Sequence, residues 1–242
     1  MNLMIDIGNS QIKYAGFIDD QIQFRGRCAP DEFKKEVGNI KEPIKRVLLS
    51  SVRIISKELL QQLKILSLKP KILGELAMPF TNTYQPPGDL GSDRMALIAG
   101  AVFTFPRKSV LIIDIGTCIT YDFIEHGKTY LGGAISLGLQ MRLKALHCFT
   151  AKLPLIQRSN PQEMLGKSTK ESILSGVVLG VTRELQGTID AYEKRYSNIR
   201  VILTGGDASF FDNKFKRSIF TDSNLLLKGM NFIMSYNEHK NL

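Results

Sequence analysis

The chain has 242 residues, enough for one large domain or two compact ones sharing a cleft. Hydrophobic residues at 43% and charged residues at 23% exclude disorder over most of it, and a formal net charge of +9 suits anionic partners. No apolar run reaches the ~18 residues of a membrane span, no signal-peptide pattern opens the chain, and Cys28, Cys118 and Cys148 lack the spacing of a disulfide framework or zinc site. A cytoplasmic protein with free thiols is expected.

Leu3 to Ile7 predicts a strand, turned at Gly8-Asn9 into a second strand through Phe17. Asp19-Asp20 turns again into Ile22 to Arg27, which makes an antiparallel meander. Residues 31–39 read as helix and Arg46 to Ser50 as a short apolar strand. Helical spacing recurs over 55–66 and ends by Pro70. Tyr84 to Asp89 (YQPPGD) predicts a rigid, non-helical loop, because consecutive prolines restrict the backbone. A helix follows from Ser92 to Phe103. The strand Val110 to Ile113 runs into Asp114-Ile115-Gly116-Thr117, and Ile119 to Glu125 returns from it. Residues 131–138 are glycine-rich and lead to a helix ending near Cys148. Thr169 to Tyr196 is the longest helical stretch, and Arg200 to Leu203 is a buried strand ending in Thr204-Gly205-Gly206. Leu225 to Tyr236 is a closing amphipathic helix.

One segment echoes another: Ile5-Asp6-Ile7-Gly8-Asn9-Ser10 and Ile113-Asp114-Ile115-Gly116-Thr117-Cys118. Both read as strand, glycine turn, strand. Two similar halves follow, residues 1–108 and 109–242, each opening with a hairpin whose turn faces a shared cleft.

These turns are candidates for holding a nucleotide. A carboxylate at a strand end, Asp6 or Asp114, can hold a cation, and a glycine lets backbone N–H groups approach phosphate oxygens. Lys13 adds a positive charge and Thr117 a hydroxyl. Either turn alone is equally an ordinary hairpin; two in one chain fit a nucleotide gripped from both lobes. In Gly91-Ser92-Asp93-Arg94 the aspartate can orient or deprotonate a hydroxyl nucleophile, and the arginine can bind a carboxylate or phosphate. The bland alternative is a helix start capped by Ser92 or Asp93. Such a start favours the charged carboxylate; phosphoryl transfer tolerates this, because its loose transition state needs positioning more than a strong base. Gly205-Gly206 would let a base or ribose lie against the backbone. Gly166-Lys167-Ser168 lacks the earlier glycine of a P-loop, since Pro161 stands there; Ser168 and Thr169 read instead as a helix start.

Taken together, the motifs resemble the acetate and sugar kinase, heat-shock chaperone and actin superfamily, and within it the type III pantothenate kinases. The match runs through D-x-G-N-[ST] at Asp6 to Ser10, Tyr-x-Pro-Pro at Tyr84 to Pro87, G-x-D-R at Gly91 to Arg94, and D-x-G-T at Asp114 to Thr117 with Thr120. It continues through Gly132-Gly133-Ala134-Ile135, Gly166-Lys167-Ser168-Thr169 and Thr204-Gly205-Gly206. Each motif is weak alone; in this order they are specific.

The resemblance implies an α/β fold of two ribonuclease-H-like lobes with a nucleotide cleft between them. It implies ATP-dependent phosphorylation of pantothenate, the first step of coenzyme A synthesis. Asp6, Ile7, Gly8, Asn9, Ser10, Gln11, Ile12, Lys13 and Thr117 would bind ATP, with Gly205 and Gly206 at its nucleoside. Asp93 would be the base, and Tyr84, Gly91, Ser92 and Arg94 would grip pantothenate. Thr169 would reach pantothenate near a homodimer interface. Asp114 would bind a monovalent cation, potassium or ammonium, and magnesium would accompany ATP beside Asp6. Two residues depart from the family pattern: Leu137 replaces a frequent proline before Gly138, and Cys118 stands where alanine is common. Rival readings are a kinase or phosphatase of the superfamily acting on another substrate, and a non-catalytic, nucleotide-binding regulatory accessory protein. The scattered Lys and Arg residues and the absence of a recognition motif argue against nucleic acid as partner.

Overall fold

The computed structural model describes residues 1–9, 11–52, 61, 70–215 and 219–240. The helix expected over 55–66 falls, but for Gln61, outside them. By internal contacts the chain forms two units: Met1–Arg107 with Glu125–Leu131 and Asn224–Leu242, and Lys108–Ile124 with Gly132–Ser223.

Unit 1 opens with the meander β1 (Asn2–Ile7), β2 (Ile12–Ile18) and β3 (Gln21–Cys28). After α1 (Phe33–Gly38), β4 (Arg46–Ser51) pairs parallel to β1, and β5 (Lys71–Ile72) pairs parallel to β4. The sheet order is β3-β2-β1-β4-β5. Strand β1 is apolar at successive positions because it is central and covered on both faces. Leu3, Ile5 and Ile7 join Ile12, Phe33 and Val37 in one core. The short β6 (Thr81–Asn82) precedes the Tyr84 loop, and α2 (Ser92–Thr104) follows it. The loop is less irregular than expected: Pro87–Asp89 forms a 3-10 turn, whose first position accepts proline because the fixed φ suits a helical start.

Unit 2 has the same plan. Strands β7 (Val110–Ile115) and β8 (Cys118–Glu125) are antiparallel, and β9 (Thr129–Leu137) continues the meander through the glycine-rich segment. Helix α3 (Leu139–Cys148) follows. The long helical stretch is α4 (Thr169–Leu174), a π-turn at Ser175–Leu179, and α5 (Gly180–Arg195). Strand β10 (Arg200–Thr204) pairs parallel to β7, and after α6 (Ala208–Phe211) β11 (Phe220–Thr221) pairs parallel to β10. In each sheet three antiparallel strands are followed by two parallel ones added beside the first, and the second sheet takes β6 as a sixth strand parallel to β9. The D-x-G echo is thus the visible part of a repeat of whole sheets.

The chain then returns to unit 1. Helix α7 (Leu225–Lys240) packs on α2 and β1. The two helices approach so closely that a Cβ at Gly229 would lie 1.8 Å from the Ala96 carbonyl oxygen. A division into 1–108 and 109–242 misses this return and that of Glu125–Leu131, because both are set by packing partners far away in sequence.

Candidate active site

Asp6 ends β1 opposite Lys13 of β2 and level with Ser50 of the parallel neighbour β4. It is 5% exposed, and the Ser50 hydroxyl donates to its Oδ1 at 3.0 Å. Burial pushes the Asp6 carboxyl up to about 6, although Lys13 and Ser50 pull the other way. The Gly8 N–H closes the turn on the Gln11 carbonyl at 3.0 Å. Asn9 and Gln11 are exposed, whereas the side chains of Ile7 and Ile12 are buried in the core. Only the backbone of those two isoleucines is left for a ligand. Ser10 lies outside the described residues.

In unit 2, Asp114 stands opposite Thr120 on β8 and level with Thr204 on β10. The Thr120 hydroxyl is buried and has no hydrogen-bond partner among the described residues. The Gly116 N–H closes this turn on the Cys118 carbonyl at 3.0 Å, leaving Thr117 exposed. Gly205 has φ +97, and a Cβ there would fall 2.2 Å from Asp114 Oδ1. Only glycine lets the Thr204-Gly205-Gly206 turn lie against this carboxylate. The Asp207 N–H ties that turn to the Ile115 carbonyl at 2.9 Å, and Gly206 is exposed.

The Gly91 to Arg94 motif begins α2, but neither Ser92 nor Asp93 caps it: the N-cap is Gly91, with no side-chain cap bond. The Ser92 hydroxyl is drawn off by β4, accepting from the Ser51 N–H at 3.1 Å, donating to the Ser51 carbonyl at 3.0 Å and lying 3.1 Å from Ser50 Oγ. A line of hydroxyls therefore joins Asp6 to the start of α2. Asp93 is half-buried, with Oδ1 accepting from the Arg94 N–H at 2.8 Å. Arg94 is 5% exposed, lies 5.4 Å from the Tyr84 ring centre and donates to the Tyr130 hydroxyl at 2.8 Å. Tyr130 also stacks on Tyr84 at 6.3 Å, and its carbonyl accepts from the Thr83 hydroxyl and N–H. The Arg94 guanidinium, fixed against two aromatic rings, can hold an anionic group, and Asp93, one residue before it, can orient a hydroxyl.

Thr169 is exposed at the start of α4. It lines an open groove of about 870 Å³ with Lys167, Ser168, Leu146, Leu153 and Val177. The Ser168 hydroxyl caps α4 by accepting from the Glu171 N–H at 3.3 Å, and Glu171 accepts from the Lys167 N–H at 2.7 Å. This helix start has no phosphate loop.

Sequence reasoning missed Ser50, Ser51 and Tyr130. Ser50 was visible only as a polar residue at the end of an apolar strand; nothing local marked Tyr130. Among the described residues no three His, Cys, Asp or Glu side chains cluster to hold a metal ion. A divalent ion at Asp6 would therefore rely on phosphate oxygens and water for its other ligands, as magnesium commonly does.

Residues 2–191 match the family model of type III pantothenate kinase. The chain belongs to the type III pantothenate kinase family. A type III pantothenate kinase from Christiangramia forsetii is 43% identical over 241 residues, covering 98% of this chain and 99% of its own. A solved structure from Campylobacter jejuni, described as a Baf family transcriptional activator, matches at TM-score 0.66 and 26% identity over 99% of this chain and 100% of its own. The activator of 2-hydroxyisocaproyl-CoA dehydratase from Clostridium difficile, solved with ADPNP, has TM-score 0.53 and 13% identity, covering 100% of this chain and 97% of its own. That likeness is one of fold: two α/β lobes of the kind that bind nucleotides. No described helix is long and apolar enough to cross a membrane.

Proposed function

We propose that the protein transfers the γ-phosphoryl group of ATP to the primary hydroxyl of pantothenate, giving 4'-phosphopantothenate and ADP, the first step of coenzyme A synthesis. The observation that carries the reading is Arg94, held by Tyr84 and Tyr130, directly after Asp93 at the start of α2, in a chain of this family. Asp93 aligns the acceptor hydroxyl and takes its proton as the oxygen bonds to the γ-phosphorus and the bond to ADP breaks. Arg94 faces the acceptor's carboxylate. The Gly8 to Lys13 turn and Thr117 grip the phosphates, and Gly205-Gly206 receives the nucleoside. Asp6 would hold the magnesium that accompanies ATP, which would neutralise phosphate charge. The Asp114 carboxylate and the Thr120 hydroxyl offer oxygen donors that suit a monovalent cation.

A homodimer fits the apolar side chains left exposed close in sequence to the residues that line the Thr169 groove: Phe149 at 88%, Leu165 at 75% and Met164 at 65%. A purely regulatory role would give Asp6, Asp93 and Asp114 no evident task, and it is not favoured.

Coupled ADP release with ATP, magnesium and pantothenate, in potassium and in sodium, tests the reading. Turnover should need pantothenate and be faster in potassium. In Asp93→Asn kcat should fall roughly 100-fold or more with the circular dichroism spectrum unchanged. Near wild-type turnover in that variant would remove Asp93 from the role of base, and ADP release indifferent to pantothenate would remove the substrate.

A further inference from the structure

One polar network in unit 2 has no part in the reaction just described. Strand β9 ends at Leu137, and Gly138 leads into α3. Gly138 presses on the second phosphate turn. Its N–H donates to the Thr117 carbonyl at 3.2 Å. A Cβ at position 138 would fall 2.2 Å from that oxygen and 2.4 Å from the Gly116 carbonyl oxygen. The turn is therefore backed by main chain, with no room for a side chain between.

The Arg142 side chain, in the first turn of α3, holds this backing segment at two successive residues. Its Nε donates to the Leu137 carbonyl at 2.8 Å and its terminal nitrogen donates to the Ser136 hydroxyl at 2.9 Å, while its backbone N–H makes the ordinary helical bond to the Gly138 carbonyl at 3.0 Å. The guanidinium is itself anchored. Glu184 of α5 accepts from it at 2.5 Å, and the other Glu184 oxygen accepts from the Tyr121 hydroxyl of β8 at 2.8 Å. Burial opposes ionisation of Glu184, but hydrogen bonds from Arg142, Tyr121 and Ser136 outweigh it and hold the carboxyl below its usual range. Burial and the Glu184 carboxylate push the Tyr121 hydroxyl up, so it remains a donor. The planar fork of an arginine serves this set of acceptors at once; the single ammonium of a lysine does not.

We propose that Arg142, anchored by Glu184 and Tyr121, is a positioning residue for the nucleotide: it fixes Ser136 to Gly138 as a rigid backing for the Gly116-Thr117 turn and so sets the affinity for ATP. The inference rests on the reading of that turn as a phosphate grip. It assigns this network a task in ATP binding and none in pantothenate binding.

The test is calorimetric binding of magnesium–ATP in the absence of pantothenate, with both KM values and the melting temperature measured beside it. Arg142→Ala should raise Kd and KM for ATP roughly tenfold, as expected for a lost positioning contact, and leave KM for pantothenate within about twofold. Arg142→Lys should recover only part of the ATP affinity. Glu184→Gln keeps an acceptor for Tyr121 but removes the anchoring charge. It should weaken ATP about threefold, and it decides the matter if Arg142→Ala does not fold. Weakening of both substrates together, or a lowered melting temperature with unchanged ATP affinity, overturns the proposal and leaves Arg142 a structural residue. Thr117→Val separates the two levels. If it weakens ATP while the Arg142 and Glu184 variants do not, only the positioning role fails; if it too binds ATP as wild type does, the phosphate grip itself is wrong.

Discussion

The two D-x-G turns are built on one plan and finished differently. Each carboxylate ends the first strand of its sheet, faces a residue of the returning strand and lies level with a buried hydroxyl on the parallel neighbour: Lys13 and Ser50 for Asp6, Thr120 and Thr204 for Asp114. The first turn keeps four residues between Ile7 and Ile12, while the second keeps three between Ile115 and Ile119. Asp6 is buried beside a cation and bonded to a hydroxyl. Asp114 is half-buried and has hydroxyls and a glycine turn around it. On the proposed function, a single strand-turn-strand unit would serve a metal carried in on phosphate at Asp6 and a weakly held cation at Asp114. The flanking side chains differ, and so does the backbone, since the turns differ in length and the left-handed Gly205 lies against Asp114.

If that division is correct, Asp6→Asn should lower kcat/KM roughly 100-fold in either salt, a loss typical for removal of a key charge-stabilising group. Asp114→Asn should keep residual turnover but bring the rates in potassium and sodium together. Equal loss in both variants, with the salt preference retained in Asp114→Asn, would break the division.

The next effect is on stability. The Asp6 carboxyl rises from 3.8 to about 6 on folding, so the folded chain favours the protonated form. Its contribution is fully present below pH ~4 and is lost as pH rises to about 6, a change of up to about 3 kcal/mol. Without ATP and magnesium, the melting temperature of Asp6→Asn should rise above wild type across that window and stay above it at pH 8. In wild type kcat/KM should fall as pH drops through about 6, since the ionised carboxylate is the form that suits magnesium. Coincident melting curves at pH 4 and pH 8 would show that burial is not the governing influence on Asp6.

Smaller still is the contrast between the parallel strands. Beyond Ser50 the chain continues with Ser51, whose main chain is bonded to Ser92; beyond Thr204 it continues with Gly205 at φ +97. Gly205→Ala should cost about 1–3 kcal/mol by thermal melting, through both its backbone and its clash with Asp114.

Much of this was legible locally. The hairpins around Gly8 and Gly116, the strand before Thr204 and the helix starting at Ser92 are written in apolar runs and turn residues. The candidate groups Asp6, Asp93, Arg94 and Asp114 stand out because charged residues interrupt such runs. What was hidden depends on partners distant in sequence. Ser50 gained its place from parallel register with Asp6, and Tyr130 from the fold of β9 toward Tyr84 and Arg94. Two-residue strands such as β5 and β11 carry no periodicity to read. The glycine-rich β9 was unreadable as a strand because most of its residues after Tyr130 are exposed and do not alternate.

Helix α7 has a consequence for the order in which the protein is made. Its close seat on α2 at Ala96 and Gly100 belongs to the unit whose first strand is translated before β7, the first strand of unit 2. Unit 2 has all its strands once Thr221 is translated, while the sheet of unit 1 still waits for the helix that covers α2. The unit begun earlier is thus the unit completed later, and a nascent chain stalled before Asn224 would carry every strand of unit 2 beside a unit 1 that still lacks α7.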